Sequence, residues 1–318
     1  MVLLLGVIIV HVVEIRMSDH SFYLIICLLF SIIFIDFGDG LMEYSPKKMN
    51  EILNSSSFKF KKKFGQNFIV DENVIDKIIS SAGIDKDTMV VEIGPGAGSL
   101  TYKLCSVAKN VLCYEIDDSL RDILSNNLGG FDNVIVKYCD FLNADICSDL
   151  KDYSYDKLYV VANLPYYITT PIIMKIIEDK IPAQKIVVMV QKEVGDRFKA
   201  IPGSRDYGSL SIYLNYYFDI CKLMDISRNI FIPKPNVDSI IVEFRRKNNS
   251  FNIIDEDLFF RLVRDSFRQK RKTLKNNLKG YDLSIIESVL GKYGYDLSVR
   301  AENLSIDIFV DISNNLTR

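Results

Sequence analysis

Five short apolar runs alternating with helix-like stretches constrain this chain more than any other feature. They are MVVEI at 89–93, VLCYEI at 111–116, VIVKY at 134–138, LYVVA at 158–162 and IVVMV at 186–190. Each is too short for a buried helix and shows little polar alternation, so as a strand it would need cover on both faces. Continuous apolar strands alternating with helices indicate a parallel sheet between two helical layers. The stretches at 99–108 and 118–128 supply such helices. Further runs at 220–226 and 238–245 predict added edge strands. Beyond Asn252 the pattern turns helical and charged, with breaks near Gly280 and Gly294. The expected plan is therefore an α/β domain over 49–250 followed by a small all-α domain over 251–318, with no internal repeat.

The first 48 residues stand apart from this plan. Residues 1–13 and 21–35 are apolar runs separated by Glu14, Arg16 and Asp19. Neither reaches the roughly 18–20 residues that span a bilayer comfortably. A signal peptide fits poorly, because no cation precedes the first run and no small-residue cleavage site follows. A membrane anchor, a helical hairpin and translation from an upstream start codon are the three readings. The start-codon reading is favoured, with Met42 or Met49 as the true start and a marginal anchor second.

Charge and rare residues exclude several chemistries. The net charge of −2 makes the chain no polycation. Its cations nonetheless cluster: Lys59, Lys61, Lys62 and Lys63 in one patch, Arg245, Arg246 and Lys247 in another, and eight between Arg261 and Lys279 against one acid, Asp265. Such runs are usually solvated faces, but three of them beside a nucleotide site suit phosphate binding. Cysteines 27, 105, 113, 139, 147 and 221 lack paired metal-ligand spacing and read as small buried apolar residues in a reducing, cytoplasmic setting. Both histidines, His11 and His20, precede the globular body. Ser-His-Asp and Cys-His catalysis and His-ligated metals are thereby excluded from it, and no metal is expected.

The run at 89–93 leads into Gly94-Pro95-Gly96-Ala97-Gly98-Ser99. Glycines at such a turn let a ligand approach the main chain, and the next helix offers free N–H groups. Glu115 ends the following run, 21 residues after Gly94, where a carboxylate can accept both hydroxyls of a ribose. This fits a nicotinamide or flavin dinucleotide nearly as well as S-adenosylmethionine, although the G-x-G-x-G spacing leans to the latter. Glu92, inside the first run, would be costly unless it paired with loop N–H groups, so it is expected to organise the turn. Asp140 is placed either to accept from an adenine amino group of the cofactor or to cap a helix.

Asn163-Leu164-Pro165-Tyr166 follows the fourth run. In the doubly wound plan this loop faces the glycine loop. An exocyclic adenine amine is a poor nucleophile, because its lone pair is delocalised into the ring. The Asn163 side-chain oxygen and the Leu164 carbonyl can accept its two protons and favour a pyramidal nitrogen. Pro165 fixes φ and removes a competing donor. Tyr166 offers a stacking face for an extruded base. The bland alternative is an Asn-Pro-type turn with a core tyrosine.

Nine segments in order then show a resemblance: KKKFGQNFIVDENVIDKI, VVEIGPGAGSLT, YEID, YCDFL, VANLPYYITTPIIMKI, VVMVQKEVGDRF, RDYGSLS, FIPKPNVDSIIVEF and FRQKRKTLKNNL. Over roughly 58–318 the chain resembles the small-subunit rRNA adenine N6,N6-dimethyltransferases. The resemblance implies a Rossmann-like S-adenosylmethionine-dependent methyltransferase domain with a small all-α C-terminal domain. It implies cofactor contacts at Asn67, Ile69, Gly94, Gly96, Glu115, Asp140 and Asn163, with Gln66-Asn67-Phe68 closing over the cofactor. Phe231 would flank the target base opposite Tyr166, or else be a core aromatic. The catalytic set is then Asn163, Leu164, Pro165, Tyr166 and Phe231. The implied substrate is two adjacent adenines in the 3′-terminal hairpin loop of small-subunit rRNA, in an immature small subunit, with four methyl transfers in all. RNA contacts are expected at Lys61, Lys62, Arg264, Arg268, Lys270, Arg271, Lys272 and Lys275, the last six in a basic helix over 261–279. A monomer with no obligate protein partner is expected. A large-subunit rRNA methylase, a DNA adenine methyltransferase and a non-catalytic assembly factor on the same fold are the competing readings.

Overall fold

The computed structural model describes residues 66–164, 168–248 and 251–317. Expectations for residues 1–48, for Lys61 and Lys62, and for Pro165 and Tyr166 lie outside them. The described chain opens with β1 (Phe68–Ile69) and α1 (Glu72–Ala82). Four strand–helix units follow: β2 (Thr88–Ile93) with α2 (Ser99–Val107), β3 (Asn110–Glu115) with α3 (Arg121–Leu128), β4 (Val134–Tyr138) with the short α4 (Ile146–Asp149), and β5 (Lys157–Asn163) with α5 (Thr169–Glu178). Then come β6 (Lys185–Gln191), α6 (Lys192–Phe198), α7 (Ser209–Tyr217), β7 (Phe218–Ile226), β8 (Phe231–Ile232) and β9 (Ser239–Arg246). The C-terminal part is helical: α8 (Glu256–Ser266), α9 (Leu274–Asn277), α10 (Leu283–Lys292) and α11 (Ile306–Leu316).

The seven-stranded sheet runs β4-β3-β2-β5-β6-β9-β7. The five apolar runs of the sequence form its parallel part, with Val90 beside Val111 on one side and Tyr159 on the other. The order reverses between β2 and β5, because β3 and β4 continue to one side and β6 to the other. A crevice therefore opens beyond the carboxyl ends of β2 and β5. All six residues of β2 are buried. One face is covered by α1, α2 and α3, the other by α5 and its neighbours. In α1 the buried residues Ile75, Ile78, Ile79 and Ala82 follow helical spacing. Its N-cap Asp71 accepts from the Val74 N–H at 3.2 Å. Each buried isoleucine contributes about 1.5–3 kcal/mol of transfer free energy.

The expectation of two added edge strands holds for one of them. β7 is the edge, whereas β9 lies inside the sheet, antiparallel to both β6 and β7. The difference follows from composition. Ser239–Phe244 is buried at every position and needs cover on both faces, while Asp219, Cys221, Lys222 and Asp225 leave β7 polar enough to border water.

The C-terminal helices build a third apolar cluster around Phe259, Leu262, Leu290 and Phe309. The segment between α6 and α7 joins it: the Tyr207 hydroxyl donates to the Leu304 carbonyl at 2.9 Å, and the Gly203 N–H to that of Glu302 at 2.7 Å. The expected basic helix over 261–279 is instead α8, a turn and α9. The Asn277 side-chain amide donates to the Ser266 and Gln269 carbonyls at 2.7 and 3.2 Å, closing the end of α8 and folding the chain back. Of the cysteines, only Cys105 and Cys113 are buried; Cys139, Cys147 and Cys221 are exposed, and Cys27 lies outside the described residues. Among the described residues no helix is long and apolar enough to cross a membrane.

Candidate active site

The crevice at the switch point is an open cleft with about 1080 Å³ of empty space, open solvent at its mouth included. Its base is the turn after β2, where Gly94, Gly96 and Gly98 have φ of 69°, 61° and 89°. A side chain at Gly94 would meet nothing within 4 Å, so this position leaves space for a ligand against the main chain. Gly96 has a different reason for lacking a side chain. A Cβ there would stand 2.6 Å from Cε1 of Phe68, whose ring covers the turn.

Glu115, at the end of β3, lines the cleft with 4% of its surface exposed. One carboxylate oxygen accepts from the Gly96 N–H at 3.0 Å and the other from the Asp117 N–H at 2.8 Å. Each oxygen keeps a lone pair for a further donor, such as a ribose hydroxyl. Burial pushes the Glu115 carboxyl above its usual range, opposed by these main-chain donors. The glycine turn is thus tied to Glu115, and the role expected of Glu92 is not what the structure shows. Glu92 is buried inside β2 and accepts from the Cys113 thiol at 3.6 Å. Cys113 is its direct neighbour in the β2–β3 register, on the same face of the sheet. Burial raises its carboxyl to about 7, with Thr101 and Cys113 opposing the rise and Glu115 adding to it.

Asp140, after β4, also lines the cleft, and one of its oxygens caps the following helical turn by accepting from the Leu142 N–H at 3.0 Å. Capping and a place at the cleft are therefore compatible. Asn163 ends β5, and its Nδ2 donates to the Asn67 carbonyl at 2.8 Å. Leu164 follows, buried, with its N–H donating to the Met189 carbonyl at 3.4 Å. Gln66 Nε2 donates to Asp117 Oδ2 at 2.8 Å.

Residues far apart in sequence are thus gathered in one place. Asn67 and Ile69 come from the segment before the sheet, Gly94 and Gly96 from the turn after β2, Glu115 and Asp140 from the ends of β3 and β4, and Asn163 and Leu164 from the end of β5. Phe231 is not among them. It is 2% exposed, pairs with Ile69 in the small antiparallel β1–β8 ribbon and packs in the core cluster of that sheet face. These surroundings are those of the core-aromatic alternative, while Tyr166, its expected counterpart across the target base, lies outside the described residues. Several residues lining the cleft were not anticipated, Ile116 and Ser99 among them. Ile116 is an apolar side chain left 48% exposed on the cleft, and the acidic run Glu115-Ile116-Asp117 at a strand end was the available signal. Ser99 had no sequence signal beyond its place at the start of α2.

Arg264, Arg268, Lys270, Arg271, Lys272 and Lys275 are all exposed around the turn between α8 and α9. Lys270 Nζ donates to the Arg205 carbonyl at 2.6 Å, bringing the loop before α7 beside this basic turn. Among the described residues no group of three or more His, Cys, Asp or Glu could hold a metal ion.

The cleft suits S-adenosylmethionine. Glu115 stands where ribose hydroxyls would need an acceptor. The Ser99 hydroxyl is buried at the start of α2, lines the cleft and has no hydrogen-bond partner within the described residues. A carboxylate at that helix terminus would satisfy it together with the free N–H groups. Comparison with known proteins agrees. Residues 57–318 match the model of the ribosomal RNA adenine dimethylase family. The ribosomal RNA small subunit methyltransferase A of Macrococcus caseolyticus is 45% identical over 291 residues, 87% of this chain and 98% of that protein. Its namesake from Oceanobacillus iheyensis is 44% identical over 85% of this chain and 95% of its own length. A dimethyladenosine transferase from Plasmodium falciparum superposes with a TM-score of 0.65 at 27% identity, covering 77% of this chain and 95% of its own. The 23S rRNA methyltransferase ErmE gives 0.63 at 25% identity, covering 79% of this chain and all of its own. The chain belongs to the ribosomal RNA adenine dimethylase family, whose members take their methyl groups from S-adenosylmethionine.

Proposed function

We propose that the protein dimethylates the N6 amino groups of two adjacent adenines in the 3′-terminal hairpin loop of small-subunit rRNA, acting as a cytoplasmic monomer on an immature small subunit. The observation that carries this reading is the convergence of Asn163 and Leu164 with the glycine turn and Glu115 on one cleft. S-adenosylmethionine supplies an electrophilic methyl group on its sulfonium. The chain's task is to present a nitrogen to it. Asn163 Oδ1 and the Leu164 carbonyl accept the two amine protons and localise the lone pair; a preorganised polar partner of this kind is worth about 10²–10³ in rate. Tyr166 stacks on the extruded base. No side-chain base is required before transfer, which agrees with a body free of histidine. Arg264, Arg268, Lys270, Arg271, Lys272 and Lys275 hold RNA phosphates, joined by Lys61 and Lys62.

The small-subunit choice is supported by relatives at 44–45% identity that carry that name, against 25% for the large-subunit enzyme. The test is methyl transfer to small subunits purified from a strain lacking the modification, with the product mapped on the RNA. Label in the 3′-terminal hairpin adenines is the expected result. Label confined to large-subunit rRNA would overturn the substrate, and cofactor binding without transfer would favour an assembly role.

A further inference from the structure

We propose that the main-chain carbonyl of Asn67 is a positioning group for Asn163, fixing which end of its amide faces the target amine. The proposal rests on the reading of Asn163 as the acceptor for that amine. A carboxamide has two ends of nearly equal shape and opposite polarity, one accepting and one donating. Turned the wrong way, Asn163 would present N–H groups to the N–H groups of adenine, and the two would repel. The 2.8 Å bond from Nδ2 to the Asn67 carbonyl removes that choice. It ties down the donating end and leaves Oδ1 as the free end of the amide.

The carbonyl can enforce this because its segment is held firmly on every side. Gln66, just before it, donates to Asp117 at 2.8 Å. Phe68 and Ile69, just after it, pair with Ile232 and Phe231 in the β1–β8 ribbon, and the Val70 N–H donates to the Ile230 carbonyl at 2.9 Å. The Phe68 ring lies on the glycine turn so closely that no side chain fits at Gly96. The strap 66–70 therefore spans from Asp117, beside the Glu115 carboxylate, to the acceptor Asn163. One short segment lines the cofactor cleft and orients the group that prepares the nucleophile.

Asn163→Asp separates the two functions of the amide. The variant keeps an acceptor facing the amine but loses the donor to Asn67, and a carboxylate would be repelled by that carbonyl. Protonation restores the donor, because a neutral carboxyl has one O–H and one C=O in nearly the shape of the amide. Single-turnover transfer to undermethylated small subunits should therefore fall on the order of 100-fold at pH 8. The ratio of variant to wild type should then recover about tenfold per pH unit as pH falls towards the introduced carboxyl's pKa. Glu92, Glu115, Asp140, Tyr114 and Cys139 are the titratable groups lining the same cleft, and taking the ratio at each pH cancels their part. A variant as fast as wild type at pH 8, or a ratio flat from pH 6 to 8, would overturn the assignment. Gln66→Ala provides a second test that leaves Asn163 intact. Amide exchange at Phe68 and Ile69 should quicken and kcat fall about tenfold; quickened exchange with unchanged kcat would also refute the proposal. Wild-type inactivity on small subunits would overturn the proposed function as well, whereas wild-type activity with an unperturbed Asn163→Asp would overturn only this assignment.

Discussion

Replacing Glu92 by glutamine should stabilise the protein at neutral pH, by an amount that follows from its surroundings. The carboxyl is buried within β2, and that burial holds it protonated up to about pH 7. In the unfolded chain it ionises at its ordinary value of 4.5. Between these values unfolding releases a proton, so this group makes stability fall as pH rises from 4.5 to about 7 and then level off. The span is worth about 3 kcal/mol, at about 1.4 kcal/mol per pH unit. Glutamine has nearly the same shape and cannot ionise. The stability difference between Glu92→Gln and wild type should therefore be small near pH 4.5 and grow by about 3 kcal/mol by pH 7.5. Equilibrium urea unfolding of both proteins across pH 5–8 measures it. A difference that stays flat across that range, or one that favours wild type increasingly as pH rises, would refute the reasoning.

Other perturbations test other parts of the site. Glu115→Gln removes the charge from an acceptor that already holds two main-chain N–H groups, and should weaken S-adenosylmethionine binding roughly 10–100-fold by calorimetry; unchanged affinity would remove Glu115 from the ribose site. Gly96→Ala should cost about 1–3 kcal/mol in urea unfolding, because the new Cβ meets the Phe68 ring at a φ of 61°. Adding Phe68→Ala should recover part of that loss, and strict additivity of the two changes would contradict the clash. Reversing Arg268, Arg271 and Lys272 to Glu should weaken small-subunit binding and lower the slope of log K against log salt by about 0.7–0.9 for each phosphate left without its cation, with cofactor affinity unchanged. An unaltered slope would place the RNA elsewhere.

The parallel half of the sheet was legible because its signal is local. Five apolar runs, too short for helices, could only be strands covered on both sides. Gly94, Glu115 and Asn163 were legible for a related reason: each stands at the carboxyl end of a strand, and strand order alone sends those ends to one crevice. What escaped was set by pairs distant in sequence. The Asn67 carbonyl meets the Asn163 amide across 96 residues, and no spacing rule announces it. The β1–β8 ribbon has two residues per strand, below any periodicity, yet it determines that Phe231 is buried. Glu92 and Glu115 are the same residue type on adjacent strands, and which of them holds the glycine turn's N–H depends on where each strand ends. The place of β9 inside the sheet was hinted at by Ile240-Ile241-Val242, but its order beside β7 depends on which strand tolerates water.

That interior place for β9 also bears on how the protein is made. The strand ends that meet at the cleft are complete once residue 164 has been synthesised, and Ile168 and Ile172 complete its described lining soon after. The sheet is not. From Lys185 onward β6 has one partner, β5, and its other edge is a row of unpaired groups between apolar side chains, with Ile186, Val187, Val188 and Val190 along it. The next strand to emerge, β7, does not pair with β6, and the true partner arrives only with Ser239–Arg246. For the time a ribosome takes to add about fifty residues, the nascent enzyme carries an adhesive edge that nothing of its own can cover.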